Sequence, residues 1–154
     1  MSGRGFEDLA EVLKKGLLEA LSALRSYGLS CSASVEELVE YLSGPSYEDD
    51  RIGLSEIASN PLLLLHEVAE MCVLKSMGYT IDRETVVRAY PDTYRAHLLA
   101  MEIELLEATR LGDRNYVARR CADLESYLSD PALPSNCVEI VKRLMDRFCR
   151  EHTA

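Results

Sequence analysis

Between Asn60 and Gly78 the chain reads NPLLLLHEVAEMCVLKSMG, with apolar residues at almost every position around the helical turn. This pattern predicts a helix over 61–77 that is buried on most sides, unlike the single apolar stripe of a surface helix. Its ends are marked by Asn60 as a cap, Pro61 at the first helical position and Gly78 at the left-handed position that closes a helix. A membrane span needs about 20 predominantly apolar residues. This run is shorter and is broken by His66, Glu67, Glu70 and Lys75.

On either side the apolar positions recur every three or four residues, the spacing of amphipathic helices. Phe6, Leu9, Leu13, Leu17, Leu24 and Tyr27 define a long first helix ended by Gly28. Ser34 and Glu37 form a capping box that opens a helix over 35–42, which Gly44 and Pro45 stop. Ser46 to Gly53, with Glu48, Asp49 and Asp50, reads as a solvated acidic loop, and one helical turn is expected near 54–58. Further helices are expected over 83–90, 92–111 and 113–129 and from Ser135 to Arg150, the last two joined by the rigid turn DPALP. No segment alternates with the period of a strand. The expected fold is therefore all-α: a single domain, 1–154, of six or seven helices bundled around the buried central helix.

Composition is that of a globular chain, 47% hydrophobic and 28% charged. A net charge of −9 and a pI near 4.8 argue against a nucleic-acid binder, because neutralising phosphates needs a surplus of Lys and Arg. The N-terminus has no basic stretch followed by an apolar core, so a cytoplasmic protein without a membrane anchor is expected. The absence of Gln and the excess of Arg over Lys, thirteen to four, suggest a thermophilic source. In such a source intracellular disulfides are common. The five cysteines show no CxxC pair, and a bridge such as Cys121 to Cys137 is compatible with a helix–helix contact.

Candidate chemistry is concentrated on two of the helices. His66, Glu67 and Glu70 fall within one stripe of the central helix, a ribbon of ionisable groups on an apolar rod. On helix 92–111, Glu102 is expected in the middle of an apolar face, about two turns beyond Arg95, while His97 and Glu104 point the other way as a surface pair. A carboxylate buried alone is costly, so Glu102 should be paired, protonated, metal-bound or exposed by a gap in the packing. Facing helices can join imidazoles and carboxylates into a site for Mg, Mn or Zn, here His66, Glu67, Glu70 and Glu102, with His97 or Glu104 as further candidates. The alternative is a pair of ion pairs, His66 with Glu70 and Glu102 with Arg95. Neither HExxH nor Glu-x-x-His occurs, and no nucleophile elbow or glycine-rich phosphate loop is present.

Two resemblances add expectations. Glu36, Glu37 and Glu40, followed by Glu67 and Glu70, are similar to the acidic pattern of the all-helical MazG-like nucleotide pyrophosphohydrolases. That likeness implies Mg²⁺ held by Glu37, Glu40, Glu67 and Glu70 against a triphosphate. As a whole, LLHEVAEMCVLKSMGY with YRAHLLAMEIELLEATRLGD resembles uncharacterised helical proteins of thermophilic archaea, which implies no activity. The leading expectation is a non-catalytic module that binds a protein partner or itself as a homo-oligomer; the alternative is a metal-dependent phosphohydrolase.

Overall fold

A computed structural model describes residues 2–44 and 54–150; the acidic loop expected at 46–53 and the tail 151–154 lie outside the described residues. Among the described residues the chain is all-helical, with eight α-helices and no strand. They are α1 (Ser2–Ser26), α2 (Val35–Ser43), α3 (Leu54–Ser59), α4 (Pro61–Ser76), α5 (Thr85–Arg88), α6 (Asp92–Arg110), α7 (Arg114–Tyr127) and α8 (Val138–Phe148), the last entered through a 3₁₀ turn at Ser135–Cys137. The turn expected near 54–58 is the short helix α3, which brings the number just above the six or seven expected, and the helix expected over 83–90 is shorter, as α5.

The central helix forms as its sequence dictates. Asn60 Oδ1 accepts the backbone N–H groups of Leu62 and Leu63 at 3.1 and 3.3 Å, and Pro61 follows with no N–H to satisfy. Gly78, at φ 98°, and Gly112, at φ 73°, stand just beyond α4 and α6 in the left-handed region that side chains disfavour. Helix α4 is buried over most of its length, from Leu62 through Leu74. It contributes Leu64, Leu65, Val68, Met71 and Leu74 to a core shared with Leu13, Leu17 and Leu24 of α1 and Leu38 of α2. A second core joins Leu98, Met101 and Leu105 of α6 to Leu124 of α7 and Leu144 of α8. Helices α4 and α6 pack directly on each other between these two cores.

Two disulfides cross the packing. Cys31, ahead of α2, is joined to Cys72 on α4, with Cα atoms 5.6 Å apart, and Cys121 on α7 is joined to Cys149 at the end of α8, 5.7 Å apart. The expected Cys121–Cys137 pairing is thus corrected, and Cys137 is a buried free thiol. The α7–α8 hairpin explains the difference: it lays the end of α8 beside the middle of α7 and keeps Cys137 in the turn between them. No helix among the described residues is long and apolar enough to cross a membrane.

A candidate metal centre between α4 and α6

His66 and Glu70 lie one turn apart on α4, and both are buried, at 4% and 6% exposure. His97, one turn into α6, meets them at 8% exposure. Their inward atoms form a nearly equilateral triangle. His66 Nε2 is 3.0 Å from Glu70 Oε2 and 3.1 Å from His97 Nδ1, and His97 Nδ1 is 3.1 Å from Glu70 Oε2. These three residues could hold a metal ion.

Each of the three is fixed from behind. His66 Nδ1–H donates to Glu104 Oε1 at 2.8 Å, which keeps that proton on Nδ1 because a carboxylate only accepts. The Tyr41 hydroxyl of α2 donates to Glu70 Oε1. His97 Nε2 meets the Tyr127 hydroxyl of α7 at 2.8 Å. A hydroxyl both donates and accepts, so Tyr127 suits either tautomer of His97. Glu104 is fully buried and is held in turn by the Tyr116 hydroxyl and by Arg120 Nη2 at 3.2 Å. Arg120 Nε is 3.0 Å from Glu104 Oε2, an ion-pair distance, but its N–H is turned off the oxygen and makes no hydrogen bond.

The charged groups in this cluster are paired. Burial alone would lower the His66 pKa, but Glu104 and Glu70 outweigh it and hold the imidazolium up at about 10. Burial would raise the two carboxyls. His66 and His97 nevertheless keep Glu70 well below the usual carboxylate range, and His66 and Arg120 hold Glu104 down at about 2. Burial and the Glu104 charge push the Tyr116 phenol far up. The His66 and Arg120 cations thus pair with the Glu70 and Glu104 carboxylates, and paired charge is what a core tolerates.

No family model, curated protein or solved structure matches the chain. What the site can do follows from its own geometry.

The other expected site residues lie elsewhere. Glu102 is corrected from a buried position: its side chain is 28% exposed and meets Arg147 Nη1 of α8 at 3.4 Å. Arg95 shares that solvent side of α6 and is exposed, as the seven-residue spacing predicts, but it is not the partner of Glu102. His97 and Glu104 are corrected in the opposite direction, from surface pair to core, because α4 on one side and α7 on the other cover the face that they occupy. Glu67 is half-buried beside the site and is not one of the three converging residues. Glu37 completes the expected capping box with Ser34 and pairs with Lys75 at 2.8 Å, and Glu40 is exposed. Sequence reasoning missed Tyr41, Tyr116, Arg120 and Tyr127. The available signal was Tyr116 and Arg120, four residues apart on α7, which place a phenol and a guanidinium on one face of that helix.

Proposed function

We propose that the chain is a metalloprotein that holds one divalent transition-metal ion on His66 Nε2, His97 Nδ1 and Glu70 Oε2, the ion displacing the Nε2 proton of the metal-free imidazolium. The observation that carries this reading is the triangle of three inward donors, each locked by a hydrogen bond at its outer atom. Metal-ligating imidazoles characteristically donate their second N–H to a carboxylate or similar group, as His66 does to Glu104. An ion about 2.1 Å from all three donors would see them at roughly 90° to one another, one face of an octahedron.

Two imidazoles with one carboxylate suit Fe²⁺, Mn²⁺, Co²⁺ or Zn²⁺ better than Mg²⁺, which prefers oxygen ligands throughout. Three protein donors leave further coordination positions for water or a small ligand, and a bound ion lowers the pKa of its water and polarises oxygen groups. Hydrolysis of a phosphorylated small molecule, the alternative expectation from the sequence, is the catalytic use that we attach to this centre. In this reading Glu37 and Glu40 take no part in metal binding.

Thermal unfolding tests the proposal. Ligand at a hundred times its Kd stabilises a fold by about 2.7 kcal/mol. For a chain of this size that is a rise in Tm of roughly 5–10 °C. Chelator-stripped protein should show it with Mn²⁺, Fe²⁺ or Zn²⁺, His97→Ala and Glu70→Gln should abolish it, and Glu102→Gln should retain it. No shift with any ion would contradict the proposal.

A further inference from the structure

The metal ligands sit on α4 and α6, but the hydroxyl that fixes the carboxylate ligand comes from outside that pair. Tyr41 belongs to α2, a helix of nine residues. Its covalent and ionic attachments to the rest of the molecule lie at its N-terminal side. Cys31 is bonded to Cys72, which lies on α4 two residues beyond Glu70. Close by, Lys75 Nζ donates to both Glu37 carboxylate oxygens at 3.0 and 2.8 Å and also to the Ser32 carbonyl. The other contacts of α2 are mainly apolar: Leu38 and Tyr41 are buried in the α1–α4 core, and Val35, Val39 and Leu42 pack against it. The disulfide is thus the one covalent tie, beside a half-exposed ion pair and this packing, between the segment that carries Tyr41 and the ligand helix. Cys72 is 2% exposed, while Cys31 is only partly buried, so a reductant can approach from the Cys31 side.

We propose that the Cys31–Cys72 disulfide is a redox latch on the metal centre, acting through α2 and Tyr41; this rests on the metal reading above. When it is closed, Tyr41 keeps Glu70 Oε1 occupied and directs Oε2 at the ion. A dithiol reductant opens it: the Sγ–Sγ bond breaks, Cys31 and Cys72 take up two electrons and two protons as thiols, and the reductant closes to its own disulfide. The ion pair at Lys75 and the apolar packing of α2 then hold the segment without a covalent tie, Tyr41 leaves Glu70 for part of the time, and the ion is released more readily. Removing an outer hydrogen-bond partner of a metal ligand typically lowers metal affinity by 10–100-fold.

The test is Zn²⁺ affinity by competition with a chromogenic chelator, at a temperature where circular dichroism shows every variant folded. Cys31→Ala with Cys72→Ala should weaken binding roughly ten-fold relative to the oxidised wild type. A phosphine reductant should weaken the wild type equally and leave the double variant unchanged. Tyr41→Phe should weaken the oxidised protein to the same degree, and adding it to the cysteine variant should cause no further loss. A double variant with wild-type affinity overturns the latch, as does one that still responds to reductant, or an additive effect of Tyr41→Phe. Those results leave the metal reading standing. An oxidised wild type that binds no Zn²⁺ removes both.

Discussion

Glu102 and Glu104 stand two residues apart on α6, and the turn of the helix sends one to solvent beside Arg147 and the other into the core beside His66. The same acid therefore has consequences of very different size when neutralised. Glu104→Gln leaves His66 and Arg120 short of a buried counter-charge, and breaking a buried pair in this way costs about 3–5 kcal/mol. Glu102→Gln removes an exposed contact worth at most about 1 kcal/mol. Urea unfolding of the metal-free variants reads the contrast directly. The pH dependence of the metal-free protein follows from the same groups. His66 has a folded pKa of about 10, above its ordinary 6.5, so its contribution is complete below 6.5 and is lost as pH rises through 10. Glu104, at about 2 against an ordinary 4.5, contributes fully above 4.5 and loses that contribution as pH falls towards 2, and Glu70 acts in the same direction. A Tm profile in chelator should thus be highest between pH 4.5 and 6.5, with an alkaline decline that begins below the range where Cys, Tyr or Lys titrate. A flat profile from 6.5 to 9 would contradict the charged state of His66.

At the scale of the element, α4 was legible because its boundaries are chemical: a cap, a proline and a left-handed glycine enclose an apolar run. The stripe of His66 and Glu70 was legible too, since a four-residue spacing fixes their common face. The facing side of α6 was not. Its buried residues surround more than half of the helix, so periodicity alone did not decide whether Glu102 or Glu104 faced α4. Only the packing of α7 against α6 resolves it, and that packing depends on contacts between residues distant in sequence. The close approach at the end of α2 was likewise invisible. A Cβ at Gly44 would lie 1.7 Å from the Arg83 carbonyl oxygen, so backbone must move to admit it. Gly44→Ala should therefore destabilise the fold by roughly 1–3 kcal/mol, the range for overpacking. A neutral effect in urea unfolding would show that this contact is not formed.

For the whole molecule, two apolar cores meet along the α4–α6 contact, and the buried polar cluster occupies that seam. Inner donors come from the two central helices; Glu104 of α6 orients His66, and hydroxyls from α2 and α7 outside orient Glu70 and His97. The all-helical class followed from periodicity, whereas the convergence of His66, Glu70, His97 and Glu104 required the three-dimensional arrangement. Self-association or partner binding, the leading expectation from sequence, is a separate proposal compatible with a metal centre. It predicts a multiple of the 17.3 kDa chain mass in light scattering, and a strict monomer would count against self-association. The central claim, that the seam between α4 and α6 holds an ion, is tested most directly by anomalous diffraction at the metal edge from crystals of the reloaded protein. The account predicts one anomalous peak per chain, about 2.1 Å from His66 Nε2, His97 Nδ1 and Glu70 Oε2. No peak there, or a peak only at surface carboxylates, would contradict it.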